Sequence, residues 1–208
     1  MTLPPLHLVT DDAVLARDDF RHAAAETLGA GGASLVLHLR GPQTGGRTLY
    51  RLAAELLPAA DASGARLLVN DRVDVAACVG AHGVQLGQRS LPVAVARELL
   101  GPGGLVGVSV HSAAEAREAA APDFLLVGTL FETPSHPGRP GAGTELLHAV
   151  AAAAPGIPLV GIGGVTPEHL AGLRAAGAHG VAVLRGVWDA TSPATAVQRY
   201  LTLWQEPK

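Results

Sequence analysis

Cysteine is nearly absent from this chain: Cys78 is the only one in 208 residues. An internal disulfide framework is therefore excluded, and a reducing cytoplasm fits. Cys78 lies in "VDVAACVG", on the flank of a predicted helix, where a small buried hydrophobe is expected. Aromatic residues make up 3% of the chain, too few for a base-stacking surface. Charge is sparse as well, at 16%, and Lys+Arg 15 are outnumbered by Asp+Glu 18, a net charge of −3. That balance gives no electrostatic case for nucleic acid. Long apolar runs are also missing. The longest uncharged stretch, Leu146 to Pro167, is interrupted by Pro155, Pro158 and four glycines, which makes a poor membrane span. The start, "MTLPPLHLVTDD", has neither the basic opening nor the apolar centre of a signal peptide. The expectation is a cytoplasmic protein with no nucleic-acid and no membrane partner.

What the chain does have is apolar mass, 48% of its residues, enough for one large core. Short apolar runs ("LHLV", "SLVLHL", "RLLVN", "GVQLG", "LVGVSV", "DFLLVG", "PLVGIGG", "GVAVL") alternate with Ala- and Leu-rich helical stretches. Eight runs, each followed by a helix candidate, argue for parallel βαβ units. Eight units in this length predict an α/β fold of one kind, a single (β/α)8 TIM barrel spanning residues 1–208 as one domain. A doubly wound open sheet is the rival, but the first run leads into "TDD" without a glycine-rich turn. An echo between "GAHGVQL" at Gly80 and "GAHGVAVL" at Gly177 fits repeated units, each with a glycine ending a helix.

Chemistry in such a barrel gathers at the C-terminal ends of the strands. On the second strand His38 and Arg40 share the inner face, because side chains two apart point the same way, while Leu35, Leu37 and Leu39 face the helices. Asn70 ends the third strand, followed by Asp71, a helix cap or a metal ligand. Gln85 points inward from the fourth, with Ser90 as an N-cap before Pro92. Ser109 and His111 end the fifth, with Ser112 as a cap. After the sixth strand, "GTLFETPSHPGRPG" supplies Thr129, Glu132 and Thr133 and then His136 in a proline-stiffened loop; a carboxylate and an imidazole there are candidate general acids or bases. After the seventh, Gly163 and Gly164 precede a helix starting near Thr166, and Leu184 and Arg185 follow the eighth. Backbone N–H groups in these two loops are where barrels commonly bind phosphate.

Taken in order, "LVNDRVDVA", "VGAHGVQLGQ", "VGVSVHSAAEA", "GTLFETPSHPG", "VGIGGVTPEHL" and "GVAVLRGVW" resemble the thiamine phosphate synthase superfamily, which includes the TenI-type thiazole tautomerases. The resemblance covers essentially the whole chain and implies a (β/α)8 barrel acting on thiazole phosphate. The synthase branch joins a pyrimidine diphosphate to a thiazole phosphate, expels pyrophosphate and needs Mg2+. It carries Gln-x-Arg-x-Lys after strand two, an aspartate after strand four and a lysine in the strand-six loop. This chain has His38, Arg40 and Pro42, then Ser90, then His136 at those places. Three charged contacts worth about 1.5–3 kcal/mol each would be missing, several orders of magnitude in rate.

The resemblance therefore points first to the tautomerase branch, in which a non-aromatic carboxythiazole phosphate becomes its aromatic tautomer by a proton shift, without metal or other cofactor. Some tautomerases place a catalytic histidine where this chain has Thr129. His136 is the first candidate to carry the proton instead, His38 the second, with Glu132 beside them. Arg40 would take the substrate carboxylate, while Asn70, Gln85, Ser109, Thr129 and Thr133 line the substrate and Gly163, Gly164, Leu184 and Arg185 hold its phosphate. The alternatives are a divergent thiamine phosphate synthase, for which Asp71 remains as a Mg2+ ligand, and a non-enzymatic thiazole phosphate binder. A homodimer or higher homo-oligomer is compatible with each.

Overall fold

Eight short strands, buried on both faces, form the centre of the computed structural model, which describes residues 3–133 and 141–206. They are β1 (Leu6–Val9), β2 (Leu35–Leu39), β3 (Arg66–Asn70), β4 (Gly83–Leu86), β5 (Leu105–Val110), β6 (Phe124–Val127), β7 (Leu159–Ile162) and β8 (Gly180–Val183). All neighbours are parallel, and β1 pairs with both β2 and β8, so the sheet closes on itself. A helix follows every strand, and the architecture is a single (β/α)8 barrel, as the run count predicts. Among the described residues no helix is long and apolar enough to cross a membrane.

Alternation along each strand builds two separate apolar layers. Leu35, Leu37, Leu39, Leu67 and Val69 face the helices in the larger core. Val9, Val36, Leu68, Phe124, Leu126, Val160 and Ala182 fill the barrel itself. The seam between the last and first units is tied by Trp188, whose indole N–H donates to the Val9 carbonyl at 2.8 Å while its ring packs 5.5 Å from that of Phe20.

Three local expectations fail. Cys78 is exposed, on the outer side of its helix (Val73–Val79) rather than in a core. Asp71 does not cap that helix, and its own backbone has φ +62°. Ser90 does not cap the next helix (Val93–Leu100), whose N-cap is Pro92. Instead the Ser90 hydroxyl donates to the Asp71 carboxylate in a short bond, and the Gly87 N–H donates to the same oxygen at 2.8 Å. The carboxylate thus ties the loop after β3 to the loop after β4.

Glycine makes room inside the barrel at Gly107, where a Cβ would lie 2.2 Å from both Gln85 Oε1 and Phe124 Cζ. Gly107→Ala is expected to destabilise the protein by about 1–3 kcal/mol through overpacking. Gly29→Ala, in open space within the helix Phe20–Gly31, should stabilise it by about 0.5–1 kcal/mol. Urea unfolding of the two variants checks both signs.

Candidate active site

The C-terminal ends of the strands enclose a cavity of about 460 Å3. Its floor is apolar, from Val9, Leu126, Ile162 and Ala182. Its polar wall includes Arg40, Asn70, Ser109, Thr129, Glu132 and Thr133. A second cleft of about 410 Å3 opens beside it between the loops after β2, β3 and β4, lined among others by Asp71, Arg72, Arg89 and Ser90. Arg40 and Asn70 line both spaces and form their common wall.

The loops expected to form a phosphate cradle line the same cavity as Arg40. Gly163 and Gly164 adopt φ +98° and +61°, and a Cβ on Gly164 would stand 2.3 Å from the Glu132 carbonyl. That approach is made because the loop after β6 lies directly on the loop after β7. Leu130 N–H donates to Ile162 O and Phe131 N–H to Gly163 O, each at 2.9 Å, and the Phe131 ring stacks on His169 at 3.7 Å. The N–H groups of Gly163, Gly164, Arg185 and Gly186 have no acceptor among the described residues and border the cavity. Leu184, also expected as a donor, lines the same wall. The Arg185 side chain is paired with Asp11 at 2.5 Å, so its charge is engaged by the loop after β1 while its backbone N–H borders the cavity. The Asp11 carboxylate also caps the helix Asp12–Leu15 through Val14 N–H.

Arg40 is held by its backbone. Its N–H donates to Thr10 Oγ1 and its carbonyl accepts from the same hydroxyl, both at 2.9 Å. The Arg40 and Arg89 guanidinium groups have no carboxylate partner among the described residues, whereas Arg72 is paired with Asp74 at 2.6 Å. The only lysine in the chain is Lys208, so the positive charge of the site is arginine.

The expected residues are thus brought together, with three exceptions. His38 is fully buried beneath the cavity floor instead of lining it, so it does not reach a ligand, contrary to the catalytic expectation. Its Nε2 lies 2.8 Å from His7 Nδ1 and its Nδ1 lies 3.3 Å from Asn70. Gln85 is also below the wall, 1% exposed, and donates to Ser109 Oγ at 3.0 Å, which leaves the Ser109 O–H free to point to a ligand. His136 lies outside the described residues. His7, Thr10, Asp11 and Arg89 escaped the sequence reading. For His7 the signal was available: in "LHLVT" it has the same parity as Val9 and so faces inward, as His38 does.

Burial holds the His38 imidazole down at about 4. His7 is pushed well below the usual histidine range by burial first and by the neighbouring His38 second. Both groups are depressed in the folded state, so the unfolded chain binds more protons as the pH falls below its ordinary value of about 6.5. The stability the His38 ring permits is whole above that value and is lost between about pH 6.5 and 4, and His7 adds a loss of the same sign below 6.5.

A profile of the family described as thiamine monophosphate synthase matches residues 6–187. The chain belongs to that family. It is 42% identical over 189 residues to the thiamine-phosphate synthase of Moorella thermoacetica, covering 83% of this chain and 89% of that protein. It is 40% identical over 202 residues to that of Laribacter hongkongensis, covering 95% and 94%. Among solved structures, a thiamine phosphate pyrophosphorylase from Pyrococcus furiosus superposes with a TM-score of 0.82 at 29% identity, covering 97% of this chain and 95% of that one. A 3-hexulose-6-phosphate synthase from Salmonella typhimurium shares the fold, with a TM-score of 0.71 at 16% identity. The family makes this a thiamine-biosynthesis enzyme with small-molecule substrates, and the two relatives above carry synthase names.

Two outcomes follow from this geometry. Gly164→Ala should weaken the binding of inorganic phosphate at least tenfold, about 1.4 kcal/mol, by lifting the β6 loop off the cradle; calorimetry that finds unchanged affinity would remove the cradle. The urea midpoint should fall as the pH is lowered from 7 to 4.5, and His38→Gln should flatten that fall.

Proposed function

We propose that the protein is a thiamine-phosphate synthase that joins a pyrimidine diphosphate to a thiazole phosphate and releases pyrophosphate. The observation that carries this reading is the pair of adjoining compartments with a shared Arg40–Asn70 wall. A two-substrate transfer needs two sites that meet at the reacting atoms, whereas a one-substrate tautomerisation needs one. The near-full-length identity to synthases supports the same choice over the tautomerase expected from the strand-two and strand-six motifs.

In this reading the thiazole phosphate occupies the larger cavity, its phosphate on the N–H groups of Gly163, Gly164, Arg185 and Gly186. The apolar floor takes the ring, and Ser109 offers its hydroxyl proton. The diphosphate occupies the cleft, where the guanidinium groups of Arg40 and Arg89 bear on the leaving oxygens as negative charge builds there. Fixed donors aimed at developing charge lower the barrier without reorganising.

The fit of a magnesium ion is limited. Asp71 is the cleft's carboxylate, one of its oxygens already accepts from Gly87 and Ser90, and no group of three or more His, Cys, Asp or Glu among the described residues could hold a metal. Asp71 suffices for an ion that enters with the diphosphate, since Mg2+ is commonly held by one or two carboxylates plus substrate phosphates. When bound, the ion would neutralise the departing diphosphate.

A second reading, the thiazole tautomerase, is favoured by one observation: the partner of Asp71 across the cleft is the Ser90 hydroxyl, where the synthase pattern carries a second carboxylate. With His38 beneath the floor, Glu132 and His111 are the acid–base groups that this reading has within the described cavity, His111 with its Nδ1 3.1 Å from the Glu115 carboxylate.

Assays of both reactions on one preparation separate them. The synthase reading expects thiamine phosphate that requires both substrates and Mg2+, with kcat/KM lowered about 10- to 150-fold in Arg40→Ala, the worth of one charged hydrogen bond. An absence of thiamine phosphate together with a tautomer shift that Glu132→Gln abolishes would replace it with the second reading.

A further inference from the structure

A row of polar groups crosses the barrel interior beneath the site: the Pro4 carbonyl, His7, His38 and Asn70. Hydrogen-bond chemistry orders its protons from one end. The Pro4 oxygen can only accept, so its 3.1 Å contact with His7 Nε2 places the His7 proton on that nitrogen. Both rings are 0% exposed, and such burial favours neutral imidazoles. A neutral His7 protonated on Nε2 has a bare Nδ1, so across the 2.8 Å contact His38 Nε2 is the donor. A neutral His38 protonated on Nε2 then has a bare Nδ1. That nitrogen stands 3.3 Å from Asn70 Oδ1, one acceptor facing another.

Turning the Asn70 amide by half a rotation resolves the conflict without changing its shape, because oxygen and nitrogen are nearly equal in size. The amide N–H then donates to His38 Nδ1. The carbonyl oxygen moves to the side of the amide away from His38, and Asn70 is a residue that lines both the cavity and the cleft.

We propose that the His7–His38 pair is a positioning device that holds Asn70 with its carbonyl oxygen toward the ligand, so that Asn70 selects a substrate bearing an N–H or O–H donor at the junction of the two compartments. The adjoining groups fit that role: Arg40 and Ser109 supply donors to the same space, and Asn70 supplies an acceptor among them. The selectivity rests on the two-compartment reading above, but the proton order does not.

Side-chain 15N correlation spectra of the unliganded protein at neutral pH test that order directly. The expected result is that His7 and His38 both carry a single proton on Nε2. A proton on His38 Nδ1, alone or with one on Nε2, would overturn the proposal, because Asn70 would then keep its oxygen on the ring. Calorimetric binding of hydroxymethylpyrimidine diphosphate tests the consequence. His38→Leu, which removes the acceptor for the amide, should bind about tenfold more weakly, whereas His38→Gln, which can both donate to His7 and accept from Asn70, should stay within about threefold of the parent. Equal losses in the two variants would reduce the pair to a structural role. A parent protein that binds no pyrimidine diphosphate would sink the transferase reading, and the spectra would still decide the amide orientation. If His38→Leu does not fold, the spectra and the Gln variant remain decisive.

Discussion

Closure of the parallel sheet through the β1–β8 pairing is the constraint from which the rest follows. Once the sheet is a cylinder, every second side chain of every strand points into a space of limited volume. Inward residues near the N-terminal ends can be apolar and packed, as Val36, Leu68 and Phe124 are. Inward residues near the C-terminal ends emerge at a mouth, where Arg40, Asn70 and Ser109 line the cavity. The same alternation that makes the core therefore makes the site.

Between core and mouth lies a polar layer that a barrel built only for stability would not contain. His7, His38 and Gln85 are buried, and Gln85 Oε1 has no hydrogen-bond partner among the described residues. Burying polar groups is costly unless they are hydrogen-bonded, and the two imidazoles meet this demand through one another, Pro4 and Asn70. The layer serves as a rigid base for the cavity wall: Gln85 carries Ser109, and His38 carries Asn70. Thr10 does the same for the backbone of Arg40. Side chains held from below lose less freedom when a ligand arrives.

Electrostatics around the mouth depend on which arginines are already satisfied. Arg185 and Arg72 face carboxylates and stiffen loops, whereas Arg40 and Arg89 remain available to an anion among the described residues. In the proposed synthase function, with Pro42 where the resemblance places a lysine, anion binding in the cleft falls to those two guanidinium groups. Their planar forks suit phosphate oxygens better than a point charge does.

Strand count, helix alternation, the inward face of His38 and Arg40, and the glycine cradle after β7 could all be read from residue order, because each rests on a short-range rule of periodicity or of glycine placement. Family membership was legible for the same reason, six motifs standing in order. Depth was not legible. Parity said that His38 and Gln85 point inward, but only the register between strands decided that they lie under the floor while Asn70 and Ser109 reach the cavity. Nor could order along the chain pair Ser90 with Asp71 or Arg185 with Asp11, since those contacts join loops brought together by barrel closure. The sequence by itself determined a (β/α)8 barrel with a glycine-rich loop at its mouth. The tertiary structure decided which inward residues touch a ligand and which only support those that do, because that distinction is a matter of height along the barrel axis.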